Sequence, residues 1–332
     1  ITAVLSGHCI NEKGTNMKYT GLSLVLIMML GFTYSTNSQP ENLKKAELDL
    51  ALTAPKINTN PGLEYADNNR DFTLATGIAQ TPGGRLWAAW FAGNDGPEAY
   101  LLVATSDDQG ETWTPPKLVI DPADGTTKTR RTLVGNIWTD PLGRLWIFFD
   151  QSMMNYDGRA GVWSIVCTNP DDQQAQWSAP RRIWHGATLN LPTVLSTGEW
   201  LLPISLWGKE CHPNMPDYFP ELDPFRLANV FVSLDKGENW QRLGGVKFPM
   251  QNFDEHMIVE KKDGTLWMLA RTGKGLYESY SSSGGQTWSE PRASKIQQSP
   301  SRFFIRRLQS GNLLLVKHGT TVEKPAQKTG KE

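Results

Sequence analysis

The eight residues SDDQGETW, Ser106 to Trp113, return as SLDKGENW at 233–240 and, with Ser in place of the second-position acid pair, as SSSGGQTW at 281–288. A degenerate copy, TNPDDQQAQW at 168–177, carries a two-residue insertion and lacks the Gly. Each copy follows a strand-like run (YLLVATS, VWSIVCT, NVFVS, LYESYS), and most lead into a Pro-bearing exit such as TPPKLV or SEPRAS. An internal repeat defines the structural unit before any single element is assigned, so it constrains the fold more than composition does. A second unit alternates with the first: GGRLWAAWF, LGRLWIFF, TGEWLLPIS, DGTLWMLAR and SGNLLLVKH. Its turn glycines, Gly84, Gly143, Gly198, Gly264 and Gly311, recur every 47 to 66 residues, room for four short antiparallel strands with their loops. No helical period competes after residue 65. An all-β fold, a β-propeller whose radial repetition protects its strand edges, is expected.

The amino end reads differently. Met17 and Lys18 precede the apolar run GLSLVLIMMLGF and the small or polar TYSTNS. A positive start, a short apolar stretch and a cleavable segment make 17–38 a signal peptide, with 1–16 as upstream, non-native translated sequence. The run is well short of the roughly 20 residues a spanning helix needs, so no membrane insertion is expected after cleavage. Residues 39–64 read as a polar linker, and 65–332 as the propeller. With 33 basic against 34 acidic residues, the formal charge of −1 leaves no footprint for nucleic acid. After the signal, Cys167 and Cys211 remain, compatible with one disulfide or two thiols. No metal-binding spacing is present, and no cofactor is implied.

The pattern S-x-D-x-G-x-T-W resembles the Asp box of sialidases, and the resemblance covers roughly residues 65–332. It implies a six-bladed propeller, of which about five blades are represented; the chain stops at KPAQKTGKE, where the next outer strand and box are expected. In that family the boxes are turns on the rim remote from the active site. Ser106, Asp108, Gly110 and Trp113, Ser233, Asp235, Gly237 and Trp240, and Ser281, Gly285 and Trp288 are therefore expected to be structural. Asp108 should bind backbone N–H groups, and Trp113 should pack between strands.

Sialidases cleave terminal sialic acid with retention. They use a Tyr nucleophile paired with a Glu, an Asp acid/base and three Arg that grip the substrate carboxylate, since guanidinium forks match carboxylates and stay charged. The segment FDEHMIVEKKDGTLWMLAR resembles theirs, making Glu255 the nucleophile's partner and Arg271 a carboxylate-binding Arg. Arg271 ends a strand and Glu255 starts the one before it, so a hairpin can bring both to one rim. His256 reads as packing or support.

At the first carboxylate-binding position, alignment on TPGG puts Leu74 where the Arg belongs. Arg70, four residues earlier, is the substitute candidate, with a salt bridge to Asp67 or Asp71 as its structural alternative. FAGNDGPEAY supplies Asp95 as acid/base, with Glu98 behind it. Asn136 and Trp138 match a pocket-lining segment. The insertion from Trp207 to Arg226 either walls the cleft or decorates the surface, and Arg302 and Arg306 are pocket or structural residues. The third Arg and the Tyr are expected beyond Glu332. The resemblance thus implies a secreted or periplasmic exo-glycoside hydrolase, with glycan as its partner. A hydrolase or lyase acting on uronate-containing polysaccharide, or a non-catalytic glycan-binding propeller, are the competing readings.

Overall fold

The computed structural model describes residues 45–70, 72–123, 130–209, 211–212 and 218–319. The signal peptide, the upstream segment, Asp71 and residues 320–332 lie outside them. Four four-stranded antiparallel meanders follow one another along the chain. The first holds β1 (Thr73–Gln80), β2 (Leu86–Ala92), β3 (Tyr100–Ser106) and β4 (Leu118–Ile120); the second β5 (Arg130–Thr139), β6 (Leu145–Met153), β7 (Val162–Cys167) and β8 (Arg181–Trp184). The third is β9 (Thr193–Val194), β10 (Trp200–Ser205), β11 (Ala228–Ser233) and β12 (Gln241–Val246); the fourth β13 (Gln251–Glu260), β14 (Leu266–Thr272), β15 (Gly275–Ser281) and β16 (Arg292–Ala293). A fifth sheet has two strands among the described residues, β17 (Phe304–Arg307) and β18 (Leu313–Val316).

The first strand of every sheet contributes to one cavity of about 550 Å³, which touches Ile78, Ile137, Val194, Val259 and Arg306. The arrangement is therefore propeller-like, with the leading strands innermost. The apolar cores lie between sheets: Trp87, Leu101 and Val103 of the first meet Ile147 and Phe149 of the second, and Trp146 and Phe148 meet Trp200 and Phe231 of the third. Trp and Leu in the turn-strand repeats supply these layers, as the alternation with glycine turns requires.

Each box closes the third strand of its sheet onto the fourth. Gly110 N donates to Ser106 Oγ (2.8 Å), and Thr112 N to Asp108 Oδ1 (2.9 Å). The second box repeats this with Gly237 N to Ser233 Oγ (2.7 Å) and Asn239 N to Asp235 Oδ1 (2.8 Å). In the third, Ser283 Oγ takes the place of the carboxylate and accepts from Thr287 N at 2.9 Å. The degenerate copy keeps the logic: Cys167 occupies the Ser position, and Asn169 Oδ1 accepts from Gln176 N at 3.0 Å. The box glycines sit at φ near +90°, where a Cβ is strained. One expectation is corrected. Trp113 is 40 % exposed rather than packed between strands, whereas Trp240 and Trp288 do lie against the core.

The stretch expected to be a linker is attached. Residues Lys45–Leu48 form one helical turn and Asp49–Leu52 a 3-10 turn, and Leu48 and Ala51 are buried among Met153, Leu206, Phe219 and Leu222. Arg159 pairs with Asp49 (3.0 Å) and donates to Leu48 O (2.9 Å), while Gln151 Nε2 donates to Ala51 O and Thr53 O. The insertion after β10 contributes Phe219 and Leu222 to the same cluster, through a 3-10 turn at Pro220–Phe225. No disulfide joins Cys167 to Cys211. No helix among the described residues is long and apolar enough to cross a membrane.

Candidate functional site

Strand β13 does not pair regularly with β14. The register runs from Gln251↔Thr272 to Asp254↔Arg271 and then to Met257↔Leu269, leaving residues 252, 253, 255 and 256 without ladder partners. Within that bulge Phe253, Asp254 and Glu255 have φ of +65°, +54° and +43°. Left-handed backbone at a non-glycine residue costs about 1–3 kcal/mol, and it persists where surrounding contacts over-determine it. Three in succession concentrate strain at one point of the fold, and the middle of that strain is a pair of carboxylates.

The two carboxylates have opposite fates. Glu255, 7 % exposed, takes the Arg271 Nη1 hydrogen at 2.9 Å. The hairpin therefore brings the two residues together as expected, and the Arg271 guanidinium also lies 5.4 Å from the Phe253 ring centre. Asp254 is fully buried and accepts from Gln251 Nε2; burial pushes its carboxyl up to about 7, opposed by that hydrogen bond and by the Lys247 charge. His256, also buried, engages Ser205 Oγ (3.2 Å) through Nδ1 and Asn229 O (2.8 Å) through Nε2. Burial holds it down at about 4, so it is neutral at pH 7 and supports the bulge.

Arg302 joins this cluster from the segment before β17. It donates to Asn136 Oδ1 (3.3 Å) and to Leu189 O, and its guanidinium feels both the Glu255 and the Arg271 charges; burial lowers its pKa and Glu255 opposes that. Two guanidiniums and one carboxylate leave this point of the molecule net positive. Asn136 is buried there, with its Nδ2 donating to Thr188 O at 2.6 Å.

Asp95 lies in the loop between β2 and β3, and Arg271 near the end of β14; both loops emerge at the end of their sheet opposite the boxes, because the meanders are antiparallel. The Asp95 carboxylate is exposed, and among the described residues no hydrogen bond or ion pair joins it to Glu255. The charges it acts on belong to Arg131 and Asp150, which face each other at 3.6 Å. Arg131 donates through Nε to Met154 O and Asn155 O, and burial pushes Asp150 up to about 6 against the attraction of Arg131.

Two expected pocket residues lie away from the Glu255–Arg271 pair. Arg70 donates to Tyr65 O (2.6 Å), pairs with Asp67 and lies 5.5 Å from the Trp90 ring centre, so its structural alternative holds and it is withdrawn from substrate binding. Trp138 packs edge-on against Trp200 at 4.9 Å, in the core between the second and third sheets, and borders the cavity well along β5 from the Arg302–Asn136 contact. The resemblance of the segment holding Asn136 and Trp138 to sialidases put both in the pocket; Trp138 borders the cavity and also joins the tryptophan layer between the sheets. Leu74, at the missing first Arg, packs with Phe72, Phe91 and Leu133. Asn190, whose side chain bonds the bulge, carried no signal in the sequence, whereas Trp207 opens the insertion expected either to wall the cleft or to decorate the surface.

The repeat-bearing region, residues 84–327, matches the model of the BNR repeat-like domain. The chain belongs to the BNR repeat-like domain family. Among solved structures this BNR chain is similar to a protein of unknown function from Dyadobacter fermentans, at 17 % identity and a TM-score of 0.57 over 73 % of this chain and 74 % of that one. It is also similar to the Hadza microbial sialidase Hz136 (17 % identity, TM-score 0.52, 68 % of this chain and 47 % of that one). A third likeness is to the K499G mutant of the NanB sialidase from Streptococcus pneumoniae (12 % identity, TM-score 0.51, 74 % and 55 %). At such identities the likeness is one of fold, and the BNR chain spans about half the length of these two sialidases. No curated protein matches it.

Proposed function

We propose that this chain is the propeller of a sialidase-like glycoside hydrolase that removes a terminal acidic sugar from glycans with retention, exported to the periplasm or beyond. The observation that carries the reading is the Glu255–Arg271 pair on a strained bulge, with Arg302 beside it. A net positive, largely dehydrated point favours a carboxylate-bearing sugar, because charge-assisted hydrogen bonds strengthen where water is excluded. The Arg271 side chain is 20 % exposed and is fixed by Glu255 through Nη1, so it is held in place to meet a substrate carboxylate. Glu255 then serves as base toward a Tyr nucleophile, which the sialidase resemblance assigns to a following blade of a six-bladed whole. Asp95, exposed on its loop, reaches the departing oxygen as acid.

A second reading is favoured by Leu74. With an apolar patch where sialidases hold an Arg, one carboxylate grip is absent while Arg271 is kept, which suits a different acidic sugar, a uronate in a polysaccharide. One assay separates them: the full-length protein is given a fluorogenic sialoside and a panel of uronate-containing polysaccharides. Release of fluorophore is the expected result. Unsaturated or reducing uronate products with an intact sialoside move the assignment to the second reading, and binding without any product removes the enzyme assignment.

A further inference from the structure

The bulge that presents Glu255 cannot satisfy its own backbone. Four of its residues have no ladder partner on β14, and of these Glu255 and His256 are buried, where a carbonyl without a donor is costly. Three of the four carbonyls are taken by side chains from the neighbouring sheet's loops. Trp207 Nε1, in the insertion after β10, donates to Phe253 O at 2.9 Å. Asn190 Nδ2, in the connection into β9, donates to Glu255 O at 2.8 Å and to His256 O at 3.1 Å. Asn190 is buried, and among the described residues its own Oδ1 has no hydrogen-bond partner, so these two hydrogen bonds orient the side chain. The Trp207 ring in turn packs on Phe253 and Tyr156, at 5.2 and 5.1 Å between ring centres, which fixes the direction of its N–H.

We infer that Asn190 and Trp207 are the positioning residues of Glu255: two donors from the third sheet hold the left-handed bulge of the fourth, and so set the carboxylate against Arg271. Trp207, at the start of the insertion after β10, and Asn190 are then a clamp on the site from behind. The assignment of chemistry to Glu255 rests on the proposed function; the clamp itself rests on backbone geometry. A positioning residue of this kind acts on the rate of the chemical step more than on substrate affinity, because it fixes a group that is already present.

The test uses the full-length protein with Trp207→Phe, which keeps an aromatic ring and removes the donor, and Asn190→Leu, which keeps the branching and removes both hydrogen bonds. Amide hydrogen exchange followed by mass spectrometry should show the peptide over 251–258 exchanging at least tenfold faster in each variant, with 265–281 within twofold of the parent. With the fluorogenic sialoside, kcat should fall at least tenfold while KM stays within twofold, and neither substitution should lower the rate further in a Glu255→Gln background. Unchanged exchange over 251–258 overturns the clamp whatever the activity. Faster exchange with unchanged kcat in an active parent overturns its role in positioning. If the parent turns over no acidic sugar, the proposed chemistry fails, and the exchange data still decide whether Asn190 and Trp207 hold the bulge.

Discussion

The Asp-box turn at Asp108 and the Glu255 bulge both place a carboxylate where regular strand pairing is interrupted, and they satisfy it in opposite ways. In the box, the donors come from the same eight residues: Ser106, Thr112 and the local backbone saturate Asp108, whose pKa is drawn down to about 2 by those hydrogen bonds. In the bulge, the donors come from outside the segment: Arg271 of the neighbouring strand for the carboxylate of Glu255, and Asn190 and Trp207 of the third sheet's loops for the carbonyls. A self-contained turn can be copied from blade to blade, and it was. A carboxylate whose surroundings must be assembled from three segments occurs once. Repetition therefore marks scaffolding here, and dependence on distant residues marks the site.

The comparison breaks most sharply at the acid itself. Glu255→Gln should lower turnover of the acidic-sugar substrate by about 10³-fold, within the range expected for a lost general base. Asp108→Asn should leave turnover within twofold. Initial rates of the two variants with the fluorogenic sialoside decide it, and equal losses would end the distinction between site and scaffold.

The copied turns differ in what lies above them, so they can be set against one another. A methyl group on Gly237 would stand 2.9 Å from the Trp146 ring and 3.0 Å from that of Trp200, whereas on Gly110 its nearest neighbour is 3.6 Å away. Both glycines are left-handed, so Gly110→Ala should cost about 1–2 kcal/mol from backbone strain alone. Gly237→Ala adds a collision with two rigid rings, bringing the expected total to about 3–4 kcal/mol. Denaturant midpoints of the two variants provide the measurement, and equal destabilisation would show that the tryptophan layer yields.

The smallest effect concerns pH. The Asp254 carboxyl titrates near 7 in the folded chain and near 3.8 when unfolded. Between those values the folded state holds a proton that the unfolded state has released, so this group withdraws stability as pH rises from about 4 to 7. Asp254→Asn removes that loss. Its Tm relative to the parent should therefore climb across the window by at least about 3 °C, the shift expected for roughly 1 kcal/mol in a domain of this size. A Tm difference that stays flat from pH 4 to 8 would mean that Asp254 is ionised in its buried site.

What could be read from the chain follows the same division. Strand, turn and box were legible because each is decided within about ten residues, by glycine positions and alternating apolar side chains. Glu255 and Arg271 were found through the resemblance of one contiguous segment to sialidases, and the hairpin between them delivered the contact. Arg70 misled because its true partners, Asp67 and Tyr65, are close in sequence and need no pocket. Asn190, the contact of Trp207 with the bulge and the placement of Arg302 beside Asn136 were invisible, since those contacts join segments tens to more than a hundred residues apart and no local pattern records them. The amino-terminal stretch was misjudged for a related reason: two small apolar anchors in a polar run look like a linker until the cavity that receives them is known.

That arm also sets a boundary for processing. Leu48 and Ala51 fill a recess built from the second sheet and the insertion, and Asp49 neutralises Arg159. A peptidase that trims the amino end up to residue 44 leaves this seal untouched. One that cuts past Asp49 opens the underside of the loop that carries Trp207, and it would act on the site without coming near it.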